Sequence, residues 1–204
     1  MNGGEAMDLY FVRHGRTEMN VKRLLQGQGG YGLLPEGRVD ARRAADALGA
    51  SGVTRVYASD QQRAIETAAI LREGLGLRGP TRISKALREI DFGTMSGRPV
   101  DVVRRLCPRY ATDSTFVFPG GESFDALQRR ALHWVDAIER RRPARAIVVV
   151  THGGWLRTLF VALRGADLNR CLEGSIPHGL VARLTVGRKR SLRILEPVGI
   201  FDRL

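Results

Sequence analysis

The sequence predicts an α/β fold, with helices packed over a mostly parallel central sheet, and two observations carry that prediction. Leu9 to Val12 and Ala146 to Val150 are apolar runs without alternation, the pattern of strands buried on both faces. Each run stops at similar residues: Arg13-His14-Gly15 after the first, Thr151-His152-Gly153-Gly154 after the second. In open α/β sheets ligands gather outside the carboxyl ends of the strands, so two imidazoles at two such ends can face one site. A phosphate would suit Arg13-His14-Gly15. The guanidinium matches two phosphate oxygens, a neutral imidazole can attack phosphorus, and Gly15 removes a side chain that would keep the backbone away.

The remaining elements follow in chain order. Gly15 to Asn20 turns away from the sheet, and Thr17 and Asn20 can cap a helical turn there. Leu25-Gln26-Gly27-Gln28-Gly29-Gly30-Tyr31-Gly32 holds four glycines in eight residues, which reads as a mobile loop able to act as a lid. Pro35 opens a helix to about Leu48, with Val39, Ala41, Ala44, Ala45 and Leu48 as its apolar stripe and Gly49 and Gly52 ending it. Val53 to Ser59 is the second strand. Arg63 falls in the first turn of the next helix, Gln61 to Leu75, where free backbone amides and the positive dipole end favour an anion; a solvated surface charge is the plainer reading.

Ile83 marks a short strand. Glu89 then stands between Leu87 and Ile90, an apolar setting that raises a carboxyl pKa by desolvation, as a general acid working near neutrality requires. A cap or salt-bridge role is the ordinary alternative, and Asp91 is a rival carboxylate. Arg98 to Gly121 reads as a short insertion with a helix Val100 to Leu106, stopped by Pro108. Glu122 and Ser123 suit the start of a helix Phe124 to Arg141. Phe124, Leu127, Ala131, Trp134 or Val135, and Ile138 share one side of it, leaving His133 structural or exposed. Trp155 to Leu163 is a mostly apolar helix. His178 to Val186 and Ser191 to Val198 alternate around Gly187-Arg188-Lys189-Arg190, a terminal hairpin; His178 could line the mouth of a pocket, but nothing in the spacing requires it.

In sequence order, Arg13-His14-Gly15 with Asn20, Ser59-Asp60-Gln61-Gln62-Arg63-Ala64-Ile65-Glu66-Thr67-Ala68, Leu87-Arg88-Glu89-Ile90-Asp91-Phe92-Gly93 and Thr151-His152-Gly153-Gly154 resemble the histidine phosphatase superfamily, in its phosphoglycerate-mutase-like branch. The resemblance runs from about Asp8 to about Val186. It implies a three-layer α/β/α sandwich, one domain over residues 1–204, with residues 94–122 as a small cap over the pocket. It also implies the roles of the site residues. His14 is the nucleophile that becomes phosphohistidine, and Glu89, matching Leu-x-Glu-x-x-x-Gly, is the general acid and base. Arg13, Arg63 and His152 form the positive cage, and Asn20, Gln26, Gly27 and Gly153 join them in binding phosphate and substrate. No cofactor and no metal are implied.

The branch contains phosphatases and mutases. Many relatives carry an aspartate followed by Pro-Leu-Thr where Gly30-Tyr31-Gly32-Leu33-Leu34-Pro35-Glu36-Gly37 stands here, so inherited substrate specificity does not transfer. Mutases add a Tyr-Gly-x-Leu-x-Gly-Leu-Asn-Lys stretch and paired arginines that clamp phosphoglycerate. Phe92-Gly93-Thr94-Met95-Ser96-Gly97 is followed by no such stretch, which favours a hydrolase acting on a small phosphorylated metabolite over a cofactor-dependent phosphoglycerate mutase. A reading of another class is a non-catalytic binder of a phospho-ligand or of nucleic acid.

Composition bears on that last reading. The net charge is +12, and 30 of the 33 basic residues are arginine, a balance that can serve nucleic acid, a membrane surface or a small anion. The arginines are spread over several helices and do not interleave with aromatic residues, so nucleic acid is not the expected partner. Apolar runs are too short to span a bilayer, Met1 to Ala6 reads as a flexible extension and not as a secretory signal, and Cys107 and Cys171 lie far apart in the chain. These features point to a cytoplasmic protein with free thiols. A metal is disfavoured because no third His, Cys or carboxylate has ligand spacing. A homodimer is left open.

Overall fold

The structure is a computed structural model, and it describes residues 6–196. Among these residues the first strand, β1, is Met7–Arg13, and it is followed by a short helix α1 (Glu18–Val21) and by α2 (Pro35–Leu48). Then come β2 (Arg55–Ala58), α3 (Gln62–Gly74) and β3 (Arg82–Ile83). The second half holds α4 (Val100–Leu106), α5 (Phe124–Arg141), β4 (Ala146–Thr151) and α6 (Gly153–Leu163), closing with β5 (Val181–Val186) and β6 (Arg190–Glu196). The expected extension at Met1 to Ala6 lies outside the described residues apart from Ala6, as do the last two residues of the expected hairpin.

The sheet order is β3-β2-β4-β1-β5-β6. The first four strands are mutually parallel, and β5 pairs antiparallel with both β1 and β6. The two apolar runs are therefore neighbours at the centre. Their register sets Phe11 beside Val149 and Arg13 beside Thr151, so the chain leaves both strands at one level, and the His14 amide donates to the Thr151 carbonyl at 3.0 Å. On the other side of β4, β2 ends at the same level, with the Ser59 amide on the Val150 carbonyl.

Alternation across the strands builds two cores. Tyr10 and Val12 face one in which α2 and α3 pack through Ala44, Ala45, Ala64 and Ala68, small residues that bring helix backbones close to the sheet. Leu9 and Phe11 face the other, filled by α5 and α6, where the Trp155 ring packs tilted against Phe11 at 5.7 Å and edge-on to Trp134 at 6.2 Å. The layers are helix, sheet and helix, as expected. In α5 Trp134 and Val135 are both buried and His133 is exposed. In α2 the buried face runs through Gly37, Ala41, Ala44, Ala45 and Leu48, and Val39 lies outside it, 39% exposed.

Gly37 carries a correction. Gly15 is not kept small by an approaching ligand; a Cβ there would stand 2.0 Å from the Gly37 carbonyl oxygen, and one on Gly37 would stand 2.2 Å from the Arg16 oxygen. Two backbone segments cross at this pair, and backbone cannot step aside as a flexible side chain can. Gly37→Ala is expected to cost about 3 kcal/mol of stability by overpacking. Gly79→Ala, whose Cβ meets nothing within 4 Å, is the control; equal urea midpoints for the two variants would remove the argument.

The segment 94–122 holds α4, a 3-10 turn at Pro108–Ala111 and the fully buried Phe118, against which Phe92, Tyr110 and Phe116 pack at centroid distances of 4.9, 5.5 and 5.3 Å. Cys107 and Cys171 are buried free thiols. No helix among the described residues is long and apolar enough to cross a membrane.

Candidate active site

At the carboxyl ends of β1, β2 and β4 the sheet delivers His14, Arg63 and His152 to one place. The His14 and His152 rings stand 5.1 Å apart, and the Arg63 Nε lies between them, 3.2 Å from His14 Nε2 and 3.3 Å from His152 Nδ1. Arg63 sits in the first turn of α3 but is not a surface charge: it is 1% exposed. Its two terminal nitrogens donate to the carbonyls of Gly29 and Gly27 at 2.8 and 2.7 Å.

These bonds determine what the imidazoles can do. His14 Nδ1 lies 2.8 Å from the Gly15 carbonyl oxygen and so carries the proton, which leaves Nε2 with its lone pair facing Arg63. His152 accepts from Arg63 through Nδ1, so its proton is on Nε2. Burial, and then the charge of Arg63, push both histidines well below the ordinary imidazole range, so both are neutral. Burial also lowers Arg13 and Arg63 to about 10, an effect partly offset by the facing Glu89, and both remain cations at neutral pH.

Arg13 donates to the Ile176 carbonyl, while its Nε is buried without a partner. His152 Nε2 and Gln26 Nε2 are buried and unpartnered as well. Thr17 accounts for the amide: its hydroxyl stands 3.0 Å from Gln26 Oε1 and thereby leaves Nε2 unused. Buried donors of this kind are rare and each calls for an acceptor. Arg13, Gln26, His14, Arg63 and Glu89 line a cavity of about 180 Å³. That is below the roughly 300–1,000 Å³ of sites for drug-sized ligands and matches a small one.

Asn20 lines the same cavity, yet its Oδ1 accepts from the Thr17 amide at 3.0 Å and stands 2.8 Å from the Thr17 hydroxyl, so it caps α1 as well. Gly27 contributes its carbonyl, which holds both Arg63 and the Gln61 amide. Gly153 makes room for Arg13, whose Cζ would stand 3.3 Å from a Cβ. Gly154 is stricter, since a Cβ there would stand 2.4 Å from Glu89 Oε1.

Glu89 is not enclosed by apolar groups as its neighbours in sequence suggest. Its oxygens accept from the amides of Gly154 at 3.0 Å, Trp155 at 3.2 Å and Ile90 at 3.0 Å. The first two are free amides at the start of α6, a natural seat for a carboxylate. Asp91 is turned away, bonded to the Gly93 amide at 2.9 Å. The glycine-rich loop is likewise no free lid. Arg63 and Gln61 pin Gly27 and Gly29, Glu66 accepts from the Leu33 amide, and a Cβ on Gly32 would stand 2.5 Å from the Glu66 carboxylate.

Ser123 caps α5 by accepting from the Ala126 amide at 3.1 Å. Glu122 instead accepts from the Asp91 amide and pairs with Arg130. His178 packs on His14 itself, ring centroids 5.5 Å apart, with Nδ1 3.2 Å from the His14 carbonyl oxygen; burial and Arg13 pull it to about 3. Among residues the sequence reading missed, Gln61 bonds the Glu89 amide at 2.9 Å. Nothing local marks it. Arg130 left one trace, an arginine three residues after Leu127 on the inward side of α5.

His14, two buried guanidiniums and the Glu89 carboxylate line one small cavity, with His152 against Arg63 behind it, at the carboxyl ends of the central strands of a helix-sheet-helix α/β protein. The chain belongs to the histidine phosphatase superfamily (branch 1), whose model matches residues 9–194. It is 34% identical to phosphoglycerate mutase-like protein 4 of Arabidopsis thaliana over 196 residues, covering 92% of this chain and 84% of the relative. Its fold is similar to that of YhfR of Bacillus stearothermophilus, with a TM-score of 0.85, 31% identity, and coverage of 95% of this chain and 98% of the other. It also resembles a mycobacterial glucosyl-3-phosphoglycerate phosphatase solved with VO3, with a TM-score of 0.80, 29% identity, and coverage of 92% and 96%.

Proposed function

We propose that this protein hydrolyses a small phosphomonoester through a phosphohistidine formed on His14. The observation that carries this reading is the neutral His14, with a lone pair on Nε2, in the wall of a small cavity that Arg13, Gln26 and Arg63 also line, Arg13 and Gln26 each with a buried donor that has no partner. A phosphate oxygen is a stronger acceptor for the Arg63 Nε–H than an imidazole nitrogen, so an arriving ester takes that bond and frees the lone pair.

His14 Nε2 then attacks phosphorus as the ester P–O bond breaks, and Glu89, which has taken a proton from the incoming monoanionic ester, passes it to the departing alkoxide. In the second step Glu89 takes a proton from water, whose oxygen attacks phosphorus; the N–P bond breaks and inorganic phosphate leaves. Charge accumulates on the equatorial oxygens of a loose transition state, and Arg13, Arg63 and His152 are the fixed donors that meet it.

Glu89→Gln cannot protonate a leaving group. It is expected to lower turnover of glycerol 3-phosphate by about 10²- to 10⁴-fold and that of p-nitrophenyl phosphate, whose phenolate leaves unaided, by much less. Equal losses on both substrates would remove the acid role.

A phosphoglycerate mutase is the second reading, favoured by the name of the Arabidopsis relative. The short segment after Gly97 supports hydrolysis. With 3-phosphoglycerate as substrate, release of inorganic phosphate is expected to exceed formation of 2-phosphoglycerate in a coupled assay; the reverse order would establish the mutase.

A further inference from the structure

Arg130 stands on α5, outside the residues that line the cavity, with its side chain 23% exposed. One terminal nitrogen donates to the carbonyls of Ala86 at 2.9 Å and Arg88 at 2.8 Å; the other donates to the Glu89 carbonyl at 3.3 Å and to Glu122. The Glu122 carboxylate also accepts from the Asp91 amide at 3.0 Å. One ion pair therefore holds four backbone groups on both sides of Glu89.

The need for such a clamp follows from the local backbone. After the 3-10 turn Lys85–Leu87 the chain runs through Arg88 to Phe92 without helix or strand, so its carbonyls have no ladder to satisfy them. A guanidinium offers several donors in one rigid plane and can bind several carbonyls at fixed angles, which a flexible ammonium cannot do. The carboxyl group of Glu89 meets the α6 amides only if this stretch lies where it does. A shift of about 1 Å in a reacting group can cost 10²-fold in rate.

We propose that Arg130, countered by Glu122, is a positioning residue of Glu89, alongside Gln61 and Gln28 on the same backbone, acting on the reaction through that stretch without touching substrate. The inference rests on the acid and base role of Glu89 given above.

The test compares Arg130→Met and Arg130→Lys with Glu89→Gln, on glycerol 3-phosphate and p-nitrophenyl phosphate. Arg130→Met is expected to lower kcat for glycerol 3-phosphate by about 10- to 100-fold, and that for p-nitrophenyl phosphate several-fold less. The Glu89→Gln/Arg130→Met double variant is expected to be no slower on glycerol 3-phosphate than Glu89→Gln alone, because both changes disable one group. Arg130→Lys keeps the pairing with Glu122 and loses the fork, so it is expected to fold and to show the same split between substrates at smaller size. Equal losses on both substrates in Arg130→Lys, or additive losses in the double variant, would reduce Arg130 to a support of the fold while leaving the Glu89 assignment intact. A Glu89→Gln protein without the substrate split would overturn that assignment, and the inference with it.

Discussion

His14→Ala is expected to lower phosphate release from p-nitrophenyl phosphate by about 10⁴-fold or more, the scale seen when a covalent nucleophile is removed. The geometry is specific about why. The alanine removes the nucleophilic nitrogen, and the neighbouring imidazole does not replace it: His152 carries its proton on Nε2 and is set back from the residues that line the cavity. Binding should survive, since Arg13, Arg63 and Gln26 remain in the cavity wall. The variant is therefore expected to bind inorganic phosphate within about tenfold of the unmodified protein, and only the latter should yield an acid-labile phosphoprotein on rapid quench. Retention of more than about a hundredth of the activity would mean that another group attacks phosphorus.

Acidification is the second large effect. His14 and His152 sit well below the ordinary imidazole value, and His178 sits at about 3, each primarily through burial. In the unfolded chain they titrate near 6.5, so below that pH the unfolded state binds more protons than the folded one, and stability falls as pH falls. The contribution is fully present above pH 6.5 and is lost progressively toward the folded values. Three such groups amount to roughly 3 kcal/mol between pH 6.5 and 5.5. Urea unfolding at the two values measures it. His178→Asn should remove about a third of the dependence, and inorganic phosphate should flatten the remainder, because a bound anion favours the charged imidazoles. A flat profile without phosphate would show that the unfolded and folded chains titrate alike.

The first effect and most of the second come from residues that the sequence marks plainly. The apolar runs of β1 and β4 were legible because a strand buried on both faces has no polar alternation, and His14 and His152 stand directly after them. Helix bounds were legible where a local device sets them: α2 opens at Pro35, α4 stops before Pro108, and α5 begins on the Ser123 cap. The second strand reads too long because pairing with β4 and β3 ends it, and α6 reads two residues too short because its first two residues, Gly153 and Gly154, are of a poor helix-forming type.

The sequence by itself determined which chemistry-bearing residues end the central strands and which helices cover them, since both are written in periodicity and in residues a few places apart. Only the tertiary structure decided that Gly15 answers to Gly37, that Glu89 rests on the amides of α6, and that Arg63 and Gln61 tie down the glycine-rich loop. The physical reason is the range of the contacts. A hydrogen bond or a close backbone crossing between distant segments leaves no periodic trace in either one, so its partners become visible only when the sheet brings them together.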